Sequence, residues 1–183
     1  MTLSRRTLLA SAASALALAS WPRARPTVRN CSTASAKEVA GGTCTTFSRG
    51  TSFCEATALV QRHRAQGDRL LIVTATNEFV TAPIAKAFGI DTLIAVQLER
   101  DPNGELTGQI AGTPSFGPGK VVRLQQWLEQ QGLTWEGIRS TFYSDSINDL
   151  PLLEAVTHAT VTQGDVKLRA EAAKHGWPQI EWF

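Results

Sequence analysis

No stretch of this 183-residue chain stays apolar for the roughly 18–20 residues that a membrane-crossing helix needs, so the sequence argues against a membrane span. Cysteine is scarce. Cys31, Cys44 and Cys54 are odd in number and lack Cys-x-x-Cys spacing, which argues against a disulfide framework and against a cysteine metal site. Charge of one sign is also lacking: the formal net charge is +2, too small to point to nucleic acid or a membrane surface as a partner. His63, His158 and His175 share no spacing and have no carboxylate partner in sequence. They read as surface or satisfied core residues. Trp127, Trp135, Trp177 and Trp182 read as packing rather than as a stacking platform. No repeat or low-complexity tract appears after residue 60.

The averages hide a seam. Residues 1–67 carry nine Lys/Arg and two acids, a net of +7, whereas residues 68–183 carry nine Lys/Arg and fourteen acids, a net of −5. All three cysteines lie before the seam, and no isoleucine occurs before Ile72. The chain therefore divides into an atypical head, residues 1–55, and a regular globular part, residues 56–183. The head is expected to be disordered or non-native. Its start, Ser4-Arg5-Arg6-Thr7-Leu8-Leu9 followed by an Ala/Leu-rich stretch ending at Ala17-Leu18-Ala19, is similar to a twin-arginine export signal over residues 1–20. The reading preferred here is a misplaced or out-of-frame start, with the rest of the chain cytoplasmic. Export through that signal, or a new functional extension, are the alternatives.

Beyond the seam, strands alternate with helices. Arg69–Ala75 is a continuous apolar run that reads as a buried parallel strand. A helix over Asn77–Phe88 carries an early Pro83 and stops at Gly89. Thr92–Leu98, the turn Asp101-Pro102-Asn103-Gly104 and Glu105–Ile110 predict a β-hairpin. Gly119–Gly132 is an amphipathic helix, and Thr141–Asp145 a short strand ending in a carboxylate. A helix over Leu150–Val156, a strand over Ala159–Thr162, a helix over Val166–His175 and a strand over Gln179–Phe183 complete the chain. The fold class this implies is α/β: a Rossmann-like, mostly parallel sheet with flanking helices and a β-hairpin insertion, incomplete at its N-terminus.

In such sheets, ligands bind beyond the carboxyl ends of the strands. Thr74 ends the first strand, Lys120 opens the amphipathic helix after the loop Gly112–Gly119, and Asp145 ends the third strand. Each alone has an ordinary explanation: a strand-end hydroxyl for Thr74, a solvated helix residue for Lys120, and for Asp145 or Asp149 a helix N-cap ahead of Leu150-Pro151. Together on one rim, they suit a phosphate and a magnesium ion. The hydroxyl and the amide of Ala75 can bind phosphoryl oxygens, the ammonium offsets their charge, and the carboxylate is a hard ligand for Mg²⁺.

Leu70-Leu-Ile-Val-Thr-Ala-Thr-Asn-Glu-Phe-Val80, then Gly119-Lys120, then Tyr143-Ser-Asp-Ser-Ile-Asn-Asp-Leu-Pro-Leu-Leu153 resembles the haloacid dehalogenase superfamily, on its phosphoserine phosphatase-like and histidinol-phosphatase-like branch. The resemblance covers about residues 56–183. It implies a magnesium-dependent hydrolase of small phosphate monoesters such as phosphoserine or histidinol phosphate. Thr74 and Ala75 would hold phosphate, Lys120 would hold the phosphoryl group and the nucleophile, and Asn148 would be the phosphate-region amide. Asp145 would ligate Mg²⁺, and Asp149 would orient the lysine and metal water.

The attacking group that the resemblance calls for is missing. The family's route uses the first aspartate of an Asp-x-Asp motif on the central strand, upstream of the threonine, with aspartyl-phosphate as intermediate. Before Thr74 this chain has only Glu38, Glu55 and Asp68, none after an apolar strand and no two spaced two apart. Residues 1–73 are also too few and too irregular to supply the family's helical cap comfortably. The chain is accordingly expected to be truncated or mis-started and to turn nothing over by that route, with weakened metal affinity. The central slot of the sheet is expected to lie open. Leu8–Leu18 is the only nominated filler, and its Ala-rich composition reads as more helix-like. Two other functions stand beside this one: a non-catalytic phospho-ligand binding protein, and a subunit completed by another chain. Oligomeric state is not legible.

Overall fold

A computed structural model describes residues 6–11, 46–47 and 51–181. A seven-stranded sheet runs in the order β6-β5-β4-β1-β7-β8-β9. The strands are β1 (Arg6–Ser11), β4 (Arg69–Asn77), β5 (Thr92–Arg100), β6 (Leu106–Ala111), β7 (Arg139–Ser144), β8 (His158–Thr162) and β9 (Gln179–Ile180). Every neighbouring pair is parallel except β5 with β6. Two short strands, β2 (Thr46–Phe47) and β3 (Thr51–Ser52), form a separate antiparallel ladder.

The helices are α1 (Phe53–Ala65), α2 (Glu78–Ala87), α3 (Pro118–Gln130), α4 (Leu150–Ala155) and α5 (Val166–His175). The pleat of β4 sorts them into two layers. Leu71 and Val73 enter one core cluster with Leu124 of α3, Leu152 and Leu153 of α4, Leu168 of α5, and Phe142 of β7. Ile72, between them, enters a second cluster with Ala56 and Val60 of α1 and Ala85 and Phe88 around α2. A strand buried on both faces is what an uninterrupted apolar run encodes. The hairpin also forms where its turn residues place it. Asp101 Oδ1 accepts the amides of Asn103 and Glu105, and Gly104 takes φ +87°. The α/β class read from the sequence is therefore the class observed.

One expectation is corrected at the centre of the sheet. The slot between β4 and β7 is not open: β1 fills it, parallel to both, with Leu9 level with Leu71 and with Phe142. Open edges on β4 and β7 present rows of backbone donors and acceptors that need partners. A six-residue segment that meets both edges is held as strand by the ladder, and tertiary context overrides its local preference. The rest of the expected head, residues 1–5, 12–45 and 48–50, lies outside the described residues. Among the described residues, no helix is long and apolar enough to cross a membrane.

Candidate phosphoryl site

The parallel register sets the frame. Ser11, the last residue of β1, pairs with Val73, and Ala10 pairs with Tyr143. The next residues out on the flanking strands are Thr74 on one side and, past Ser144, Asp145 on the other. Two strand spacings separate them, about 10 Å between backbones.

Lys120 reaches this rim because of a tight loop. Ser115, fully buried, donates from Oγ to the carbonyl of Ile94 at 3.3 Å and ties the Gly112–Gly117 loop to β5. At Gly119, a Cβ would meet the Pro114 carbonyl oxygen at 2.1 Å. Only glycine lets α3 begin this close to the loop. One residue later, the Lys120 ammonium donates to Asp149 Oδ1. Lys120 is 3% exposed and Asp149 1%. Asp149 stands at the N-cap position of α4, yet its carboxylate makes no capping bond. Its second oxygen, Oδ2, accepts from Ser144 Oγ at 2.6 Å. The capping explanation open to Asp149 in sequence is thus replaced by an ion pair.

Asp145 differs. Its Oδ1 is buried and has no hydrogen-bond partner among the described residues. Burial pushes its carboxyl above the usual range; the nearby charges of Asp149 and Asp165 add to this, and Lys120 opposes it. The turn after Asp145 is held from outside by Asp165. The Asp165 amide donates to the Asp145 carbonyl at 3.2 Å, and its Oδ2 accepts the Ile147 amide at 3.2 Å. Its Oδ1 caps α5 through the Leu168 amide, which holds the Asp165 carboxyl below its ordinary value.

Thr74 is buried, and its Oγ1 accepts the Thr76 amide at 3.0 Å. Ala75 is exposed at the strand tip. Asn148 is exposed, with its amide donating to Ser146 Oγ at 3.3 Å. The loop before α3 approaches this turn: a Cβ on Gly117 would lie 3.9 Å from the Asn148 carbonyl oxygen. Lys120, Asp145 and Asp149 are thus brought together, with Asn148 on the adjoining turn. Thr74 and Ala75 stand across the β1 tip.

Two residues of this arrangement went unremarked in sequence. Ser144 is the third inward position of the alternation Ser140-Phe142-Ser144, where a buried hydroxyl must find a partner. Asp165 follows Gly164 and precedes a helix, the ordinary signal of a cap. One expectation about histidine is corrected. His63 has a carboxylate partner, Asp68, at 2.7 Å, because Gly67 at φ +76° folds the chain back; its Nε2 meets the Tyr143 hydroxyl at 3.0 Å. No three or more His, Cys, Asp or Glu converge as a metal cluster among the described residues.

An open, mostly parallel sheet thus carries at its carboxyl edge a buried lysine–carboxylate pair and, among the described residues, a carboxylate oxygen without a partner. The family model of haloacid dehalogenase-like hydrolases matches residues 4–154, and the chain belongs to that family. It is 44% identical over 125 residues to a histidinol-phosphatase of Neisseria meningitidis, covering 68% of this chain and 56% of that protein. A phosphoserine phosphatase of Mycobacterium tuberculosis is 33% identical over 119 residues, covering 65% of this chain and 38% of that one. The chain spans about half the length of the curated relatives it matches. Among solved structures, a Bordetella pertussis protein of unknown function superimposes with a TM-score of 0.70 at 49% identity, covering 74% of this chain and 60% of that one. A substrate-bound phosphoserine phosphatase, 18% identical, shares the fold at a TM-score of 0.53, over 68% of this chain and 56% of the other.

Proposed function

We propose that this chain holds the phosphoryl-binding half of a phosphomonoesterase site and binds small phosphate monoesters without hydrolysing them by the family's covalent route. Phosphoserine and histidinol phosphate are the ligands its relatives' names suggest. The observation that carries the reading is the Lys120–Asp149 pair, buried beside the unpartnered Asp145 oxygen at the tips of parallel strands. An ammonium fixed by a buried carboxylate keeps its place when an anion arrives. The Thr74 hydroxyl, the Ala75 amide and Asn148 supply neutral donors around the same rim.

The donor set fits a divalent cation in part. Asp145 Oδ1 is a hard oxygen with no hydrogen-bond partner among the described residues, and magnesium is commonly held by one or two carboxylates plus phosphate oxygens. Asp145 would hold the ion, which would supply charge neutralisation to a bound phosphate. With one protein carboxylate the ion is held weakly until the phosphate is present.

Hydrolysis fails for want of an attacking group. β1 ends at Ser11, which is not a carboxylate, and no acid occurs in the sequence before Glu38. Neither an aspartyl-phosphate nor the second aspartate's acid–base role is available. The subunit reading is disfavoured, because β1 occupies the position that a partner's strand would take. Calorimetric titration of phosphoserine, histidinol phosphate and inorganic phosphate, with and without Mg²⁺, tests the proposal alongside a phosphate-release assay. Saturable binding lost in Lys120→Ala, with no release, is the expected result. Release that disappears in Asp145→Ala would overturn it.

A further inference from the structure

The proposed site has two parts, the lysine on α3 and the turn that carries Asp145. We infer that Ser144 is the positioning residue that joins them. Its Oγ donates to Asp149 Oδ2 at 2.6 Å and accepts the Ser146 amide at 3.2 Å. Both directions are forced. A backbone amide can only donate, so the hydroxyl proton is left for the carboxylate. The result is one relay: Ser146 amide to Ser144 hydroxyl, to Asp149 Oδ2, then from Oδ1 to the Lys120 ammonium.

The relay fixes the rotation of the Asp149 carboxylate. With Oδ2 held by Ser144, Oδ1 is presented to Lys120, and the ammonium has one place to sit. Ser144 is fully buried and Asp149 and Lys120 nearly so, so no solvent donor stands ready to replace the hydroxyl. The same hydroxyl anchors the first amide beyond Asp145, so a shift of that turn and a shift of the lysine are mechanically one event.

The role rests on the phosphoryl-pocket reading, but its test does not. Lys120 reactivity is measured by pulsed acetylation of the ligand-free protein and mass spectrometry, with the exposed Lys86 and Lys167 as internal references. In Ser144→Ala, Lys120 labelling rises about tenfold against the references, the scale of one charge-assisted hydrogen bond. Leu152→Ala, in the core on α4, lowers stability without selective exposure of Lys120. If Ser144→Ala does not fold, Ser144→Cys keeps the size with a weaker donor and gives an intermediate rate. Inorganic phosphate titration of the same variants should show weakened affinity in Ser144→Ala. The inference is overturned if labelling stays within about twofold of the parent, or if Leu152→Ala exposes Lys120 equally. Absence of phosphate binding in the parent sinks the pocket reading and leaves the labelling result standing.

Discussion

Truncating Asp149 to alanine strips Lys120 of its ion-pair partner and Ser144 of its acceptor, in a region closed to water. Removing one member of a buried ion pair typically costs about 3–5 kcal/mol, because the other charge stays buried and unpaired. For a chain of this length each kcal/mol lowers the melting temperature by roughly 2–4 °C, so Asp149→Ala should melt about 6–20 °C below the parent. The pair itself contributes far less. Replacing both members, Lys120→Met with Asp149→Leu, should recover most of the loss, because desolvating two charges offsets much of their attraction. Urea unfolding followed by far-ultraviolet circular dichroism gives the four corners of the double-mutant cycle. A loss below about 1 kcal/mol in Asp149→Ala, the range of exposed pairs, would show that Lys120 has water beside it and would refute the reasoning.

Asp165→Ala should cost about 1 kcal/mol at neutral pH through loss of the α5 cap. The Asp165 carboxyl titrates below its ordinary value when folded. Its contribution is therefore present above the unfolded pKa and fades as pH falls through the folded one, so urea midpoints of parent and variant should converge in acid. In Gly119→Ala, the new methyl meets the Pro114 carbonyl oxygen, so α3 must shift. A stability loss of about 1–3 kcal/mol, with weaker phosphate binding by calorimetry, is expected. Ser11→Asp at the last residue of β1, combined with Ala13→Asp two residues later in sequence, restores an Asp-x-Asp pair and should create magnesium-dependent release of phosphate from p-nitrophenyl phosphate, which Lys120→Ala then removes.

How much was legible in the sequence varies with the range of the forces involved. β4 was legible because burial on both faces leaves an unbroken apolar run that ends in Thr74. The β5–β6 hairpin was legible because Asp101 and Gly104 have local, side-chain-specific reasons to turn. β1 was not: Arg6-Thr7-Leu8-Leu9-Ala10-Ser11 has no strong strand pattern of its own, and it is strand only because β4 and β7 offer edges on both sides. In the site, Lys120 and Asp145 stood out by residue type and order. The relay through Ser144 did not, since a serine in a strand carries no signal of which carboxylate it will meet five residues later.

Phosphorus-31 resonance of phosphoserine mixed with the chain and Mg²⁺ reads binding and turnover in one tube. The monoester signal is expected to shift or broaden with the chain, to be restored in Lys120→Ala, and to yield no inorganic phosphate over hours. An unperturbed monoester signal, or an inorganic phosphate peak that grows with the parent and not with Asp145→Ala, would contradict that expectation.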